Sequence, residues 1–198
     1  MQDNERISGK FKSELCRKGI HLLIALVPAL AALNRSHTAL LLMTGILFYT
    51  WAEGMRFLGF SMPFISSVTS AVLRKREKGN FASAPVTLGL GALLSLLVFP
   101  PPVAAVAIYA LAFGDSVSSL VGQFLGRLRP GFLRGKSIEG FSACLVVSSA
   151  AGYFVFGEWK AALAAGFAAA LTDALPLREF DNIALPLAAG LSALAFLS

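Results

Sequence analysis

Apolar residues fill this chain in long uninterrupted runs, with the polar and charged residues gathered into short clusters between them. Lys, Arg, Asp and Glu are missing from residues 19–34, 36–52, 57–73, 79–114, 140–157 and 182–198, and from the shorter stretches 116–126 and 161–172. A helix that crosses a bilayer needs about 20 mostly apolar residues, so each long run is a candidate span. The 79–114 run is too long for one crossing and contains Pro100, Pro101 and Pro102. Proline has no N–H and its ring clashes with the preceding turn, so the run divides there into two spans joined by a tight hairpin. The pattern predicts an all-α polytopic membrane helix bundle, a single integral membrane domain over 1–198 with about seven transmembrane helices. These lie near 19–34, 38–57, 83–99, 102–126, 138–156, 160–176 and 183–198.

The segment 57–73 is uncharged but carries Pro63 and five Ser or Thr ahead of the basic cluster Arg74, Lys75, Arg76 and Lys78. If it does not cross, fifteen of the seventeen Lys and Arg share the side of the N-terminus, and only Arg35 and Lys160 lie opposite. If it did cross, the cluster would change sides and every later loop would flip, against the excess of Lys and Arg found in cytoplasmic loops. The expected topology therefore has a cytoplasmic basic N-terminus over 1–18, a cytoplasmic interfacial or re-entrant segment and basic loop over 57–82, and the C-terminus outside. Cleavage of the first apolar run as a signal peptide is not expected, because the basic region before it is long and contains Asp3, Glu5 and Glu14.

Composition sharpens this picture. Hydrophobic residues make up 56% of the chain and charged residues 14%, against about 25% charged in soluble domains, which excludes an ordinary soluble domain. The net charge of +6 resides in the clusters that set topology, so nucleic acid is not an expected partner; the bilayer is, as in a bacterial-type inner membrane or its equivalent. Cys16 and Cys144 have no nearby Cys or His, giving neither a zinc site nor a disulfide framework. The two halves share no repeat, which argues against an inverted-repeat transporter.

Charged residues at the edge of apolar segments are costly and so mark candidate function. Nearly all of them fall at the cytoplasmic ends: Glu14, Arg17, Lys18 and His21; Glu53 and Arg56; Arg76 and Glu77; Asp115; Lys136 and Glu139; Asp173; Glu179, Asp181 and Asn182. From Gly114 to Gly126, helical spacing puts Asp115, Ser118 or Ser119, Gly122 and Gly126 on one small, acidic face. That face suits a ligand or metal, or close helix packing. Beyond it, Arg127, Arg129 and Arg134 precede Lys136-Ser137-Ile138-Glu139-Gly140 at a helix start, where amides and cations favour phosphate. The spacing is not that of a P-loop. Several carboxylates beside several cations at one aqueous face suit a magnesium nucleotide, because Mg²⁺ takes one or two carboxylates plus phosphate oxygens. Phosphoryl transfer is then mainly positioning and electrostatics.

These residues resemble the membrane family of dolichol kinase, phytol kinase and CTP-dependent diacylglycerol kinase, itself distantly similar to phosphatidate cytidylyltransferases. The matching motifs run in order along the chain: Glu14-x2-Arg17-Lys18-x2-His21, Glu53-x2-Arg56, Arg76-Glu77 followed by Ala84-Pro85, Gly114-Asp115 with Gly122 and Gly126, Lys136-Ser137-x-Glu139-Gly140, and Asp181-Asn182-x3-Pro186. The resemblance implies transfer of the terminal phosphate of CTP, or another NTP, to a membrane lipid alcohol such as a polyprenol, phytol or diacylglycerol. It implies Asp115, Lys136, Glu139 and Asp181 as catalytic residues, with Asp115, Glu139 and Asp181 holding Mg²⁺. Arg17, Lys18, Arg76, Glu77, Ser119, Gly122, Gly126, Lys136, Ser137 and Asn182 would bind nucleotide and phosphate. The chain departs from the family where phytol kinases tend to have Glu and it has Asp173, and where a doubled Asp is common and it has only Asp181 before Asn182.

A cytidylyltransferase making a CDP-lipid is the alternative enzyme, and a small transporter or scaffold the alternative of another class; self-association into a homo-oligomer is compatible with any of them. Asp173 is either a base or a structural group paired with Arg178. Glu53 and Arg56 suit an ion pair on one helix, and the alanine-rich stretch 161–170 suits close packing or a lipid groove.

Overall fold

The computed structural model describes residues 17–60, 81–133 and 135–197. Among the described residues the chain is helical, with short connections and no strand. We number the helices α1 over residues 17–33, α2 over Arg35–Phe57, α3 over Ala84–Val98, α4 over Pro101–Phe124, α5 over Ile138–Phe156, α6 over Trp159–Ala174 and α7 over Asp181–Leu197. By length and composition α4, α5 and the stretch Arg178–Leu197 are long and apolar enough to cross a membrane. All seven fall on the apolar segments expected from the sequence, with ends displaced by a few residues. The expected interfacial segment lies largely outside the described residues.

Local chemistry sets the boundaries. Asn34 is extended, and its side chain accepts the His37 N–H at 2.9 Å to start α2. Ser137 does the same for α5, accepting the Gly140 N–H at 3.1 Å. Gly157, at φ 68°, closes α5 with its N–H on the Tyr153 carbonyl. Pro101 occupies the first turn of α4, where no N–H is needed. Arg35 donates to the carbonyls of Leu96 and Phe99, which the end of α3 leaves without helical partners. The first and fourth helices are less regular than the apolar pattern suggested. α1 passes through a 3-10 turn at Ile24–Leu26 before Pro28, which cannot continue the hydrogen-bond ladder. α4 contains a π turn at Ala110–Gly114.

α4 is the centre of the bundle. Its residues Val106, Ala107, Ile108, Ala110 and Leu111 are wholly buried, and α1, α3, α5 and α7 pack around it. α5 lies along α6 and α6 along α7. Ala161, Ala162, Ala165, Ala169 and Ala170 are buried there, and a Cβ on Gly152 would come within 3.0 Å of the Ala162 Cα. The alanine-rich stretch is therefore a close-packing surface, the small-residue solution to helix association in a bilayer. The outer faces of α1 and α2 instead expose Leu23, Leu33, Leu47 and Trp51.

Candidate functional site

The π turn ends at Gly114 and Asp115 follows it directly. One extra residue in a turn rotates everything downstream, and such turns recur at functional positions. Here it precedes a carboxylate that meets both a lysine and a histidine. Lys18 Nζ donates to Asp115 Oδ2 at 2.5 Å and to the Asp115 carbonyl at 3.1 Å, and His21 Nδ1 lies 3.1 Å from the same Oδ2. Lys18 and His21 share a face because they are three residues apart on α1. Ser119, one turn along α4, places its hydroxyl 3.4 Å from Oδ1. Lys18 is 1% exposed and Asp115 7%. A buried charge is tolerated only when paired and hydrogen-bonded, so these groups hold one another in place.

A second ion pair lies alongside. Lys136 Nζ is 2.6 Å from Asp173 Oδ1, and the Ser118 hydroxyl donates to Asp173 Oδ2 at 2.5 Å. Asp173 is thus paired with Lys136, and the expected alternative of Arg178 is not its partner. Lys136 sits in the connection between α4 and α5. Burial works against its ammonium, but the carboxylates of Asp173, Asp115 and Asp181 outweigh that and hold its pKa above the ordinary lysine value. A raised lysine pKa adds stability below the unfolded value and loses it only as pH climbs through the folded one, so this cation persists throughout the neutral range. Four charged side chains from α4, α6, α7 and the α4–α5 connection therefore interact at one end of the bundle.

Beside them opens a cavity of about 310 Å³ lined by Arg17, Ser118, Ser119, Gly122, Gln123, Arg129, Gly135, Lys136, Ser137 and Gly140. It lies at the lower bound of small-molecule sites, about 300–1,000 Å³. Of the residues expected from sequence to bind nucleotide and phosphate, Arg17, Ser119, Gly122, Lys136 and Ser137 line it, and Lys18 stands behind it on Asp115. The wall exists because α4 and α5 nearly touch: a Cβ on Gly140 would fall 2.9 Å from the Ser118 carbonyl oxygen and 3.2 Å from the Gly122 Cα. Gly126 packs against Ser137 in the same way, so the small face serves helix approach and the cavity together. Arg129 closes one side, donating to the carbonyls of Gly135 at 2.8 Å and Gly122 at 2.7 Å.

Other expected residues have different surroundings. Glu139 Oε1 accepts the backbone N–H groups of Arg127 at 2.9 Å and Leu128 at 3.2 Å, tying the connection to the start of α5. Its Oε2 is shielded and has no hydrogen-bond partner among the described residues. Glu139→Gln is expected to loosen the connection and lower the melting temperature of the protein, because its Oε1 would no longer carry the charge that holds the Arg127 and Leu128 amides. Thermal unfolding in detergent checks this, and an unchanged midpoint would show that these hydrogen bonds do not hold the connection. Asn182 donates to Thr87 Oγ1 at 3.0 Å and the Ala84 carbonyl at 3.4 Å, which fastens α7 to α3 away from the cavity lining. Glu53 forms the expected ion pair, accepting Arg56 at 2.6 and 2.7 Å, and also accepts the Ala82 N–H at 2.8 Å. Glu14, Arg76, Glu77 and Arg134 lie outside the described residues.

No group of three His, Cys, Asp or Glu is close enough to cage a metal among the described residues. Asp115 and Asp181 act on each other at this end of the bundle and are hard oxygen donors of the kind Mg²⁺ accepts, and Glu139 does not join them in one group. One or two carboxylates suffice when phosphate oxygens and water complete the shell, so the donor set fits a metal that arrives with a nucleotide. Gln123 and Arg129 were not assigned to the site from sequence, and Asp173 was named only as a candidate base or a partner of Arg178. Asp173 carried the signal of an acid within an apolar run, and Arg129 was indistinguishable from a topology charge.

The chain is 29% identical, over an alignment of 140 residues, to the CTP-dependent diacylglycerol kinase 1 of Eremothecium gossypii. The alignment covers 58% of this chain and 44% of that relative, so the chain spans less than half the relative's length. The similarity supports membership of a lipid kinase family. No family model and no solved structure matches the chain.

Proposed function

We propose that this protein is an integral membrane kinase that transfers the terminal phosphate of CTP, or another NTP, to the hydroxyl of a membrane lipid. The observation that carries the reading is the cavity lined by Arg17, Arg129 and Lys136 beside the buried Lys18–Asp115 pair, together with the similarity to a kinase of that kind. In this reading the seven helices all cross the bilayer, with the N-terminus and site cytoplasmic. Lys136, Arg17 and Arg129 bind the polyphosphate, and Gly122 and Gly140 leave room for it against the helix backbones. The family resemblance adds Arg76 and Glu77 to the nucleotide-binding set.

The lipid oxygen forms a bond to the γ-phosphorus as the bond from that phosphorus to the β–γ bridging oxygen breaks. The nucleoside diphosphate departs, and the hydroxyl proton passes to a carboxylate of the Asp115, Asp173 and Asp181 group. Lys136 offsets charge on the transferred phosphoryl group, a role in which electrostatic positioning dominates the rate. Asp115 and Asp181 would hold Mg²⁺, which would supply further neutralisation of the phosphate charge. The relative acts on diacylglycerol by name, and that lipid heads the candidates, followed by polyprenols and phytol.

Purified protein in detergent with Mg²⁺, CTP or ATP, and a panel of diacylglycerol, polyprenol, phytol and geranylgeraniol tests the proposal by mass spectrometry. A phosphorylated lipid and a nucleoside diphosphate are expected. A CDP-lipid with pyrophosphate would make it a cytidylyltransferase, and no nucleotide consumption would remove the enzyme reading for these substrates.

A further inference from the structure

We infer that the apolar groove between α1, α2 and α3 is the site for the hydrocarbon chain of the lipid alcohol, an inference that rests on the kinase reading above. The groove encloses about 360 Å³, and its lining is aliphatic apart from Tyr49. One end is formed by Ile20, which lies between Lys18 and His21 in sequence, so this end is level along α1 with the residues that grip Asp115 and on a neighbouring face of the helix. From there it follows α1 to Val27, a length of about 11 Å at 1.5 Å per helical residue. A second apolar cavity, lined by Arg35, Pro101 and Tyr109, lies at the other end of α1 and the start of α4, too far along the bundle for a chain whose hydroxyl must reach Asp115.

Two glycines shape the groove. A Cβ on Gly89 would come within 2.7 Å of the Ile46 side chain, so a larger residue in this wall would have to displace it. Gly45 faces open space, with no atom within 4 Å of where its Cβ would be. The adjoining surface is apolar, with Leu23 62% and Leu41 64% exposed, so the mouth opens among residues suited to acyl chains. A dry apolar channel is filled favourably only by apolar groups. The groove thus has an apolar, outward-facing mouth and an end at the level of the buried carboxylate that the lipid hydroxyl must approach.

Filling the channel tests this. Gly45→Leu is expected to lower at least tenfold the preference for long-chain over short-chain alcohols, taken as the ratio of their kcat/KM values, with the KM for nucleotide unchanged. An unchanged ratio overturns the inference. Independently, wild-type protein in bilayers is labelled with a lipid alcohol carrying a diazirine at the end of its chain. Labelling within residues 20–27, 41–49 or 85–89, competed by unlabelled alcohol, supports the groove. Labelling confined to other segments overturns it, including where Gly45→Leu does not fold. Wild-type protein that labels in the groove yet phosphorylates no alcohol would overturn the kinase reading alone.

Discussion

Asp115→Asn is expected to reduce turnover about a thousandfold, the scale of losing one preorganised electrostatic group at a phosphoryl-transfer centre. It should also destabilise the protein, because Lys18, with a side chain only 2% exposed, would lose the buried Asp115 carboxylate that accepts its ammonium at 2.5 Å. Removing one partner of a buried pair costs about 3–5 kcal/mol, whereas removing both is often neutral. The double variant Lys18→Met with Asp115→Asn should therefore regain most of the thermal stability in detergent while activity stays lost. Stability and rate then separate two roles of one carboxylate. Recovery of turnover in the double variant would show that Asp115 serves only to neutralise Lys18.

Lys136→Met is the second large effect. Removing a cation aimed at the transferred phosphoryl group costs about 10²–10³ in kcat when it acts as one oriented charge. The stability penalty should be smaller than for Asp115. The Lys136 side chain is 35% exposed, and Asp173, at 2%, keeps the Ser118 hydroxyl. About 1–3 kcal/mol, the cost of an under-satisfied buried acceptor, is the expected size. Lys136→Arg should restore charge but only part of the rate, because a planar guanidinium cannot reproduce both the 2.6 Å contact with Asp173 and the line to phosphate. Full activity in Lys136→Met would remove Lys136 from the reaction.

The helices were legible because a bilayer penalises charge strongly enough that the apolar runs mark them to within a few residues. The three consecutive prolines marked the α3–α4 hairpin for a steric reason equally visible in sequence. The π turn at Ala110–Gly114 was not, since it leaves composition and length unchanged and alters only where Asp115 points. Asp115 and Lys136 stood out as ionisable groups at the edges of apolar runs. Their partners did not: Lys18 is 97 residues from Asp115 and Lys136 is 37 from Asp173, and such pairing is a product of helix packing. Glu139 looked like a metal ligand by type and position, and only geometry revealed that one of its oxygens is bound to the Arg127 and Leu128 amides.

Phosphate tracing tests the central claim most directly. Purified protein is given diacylglycerol or a polyprenol with Mg²⁺ and CTP labelled with ³²P at either the γ or the α position, and the lipid is extracted and counted. The account predicts label in the lipid from γ-labelled CTP alone, absent in Asp115→Asn. Label from the α position, or no label from either while the protein remains folded, would contradict it.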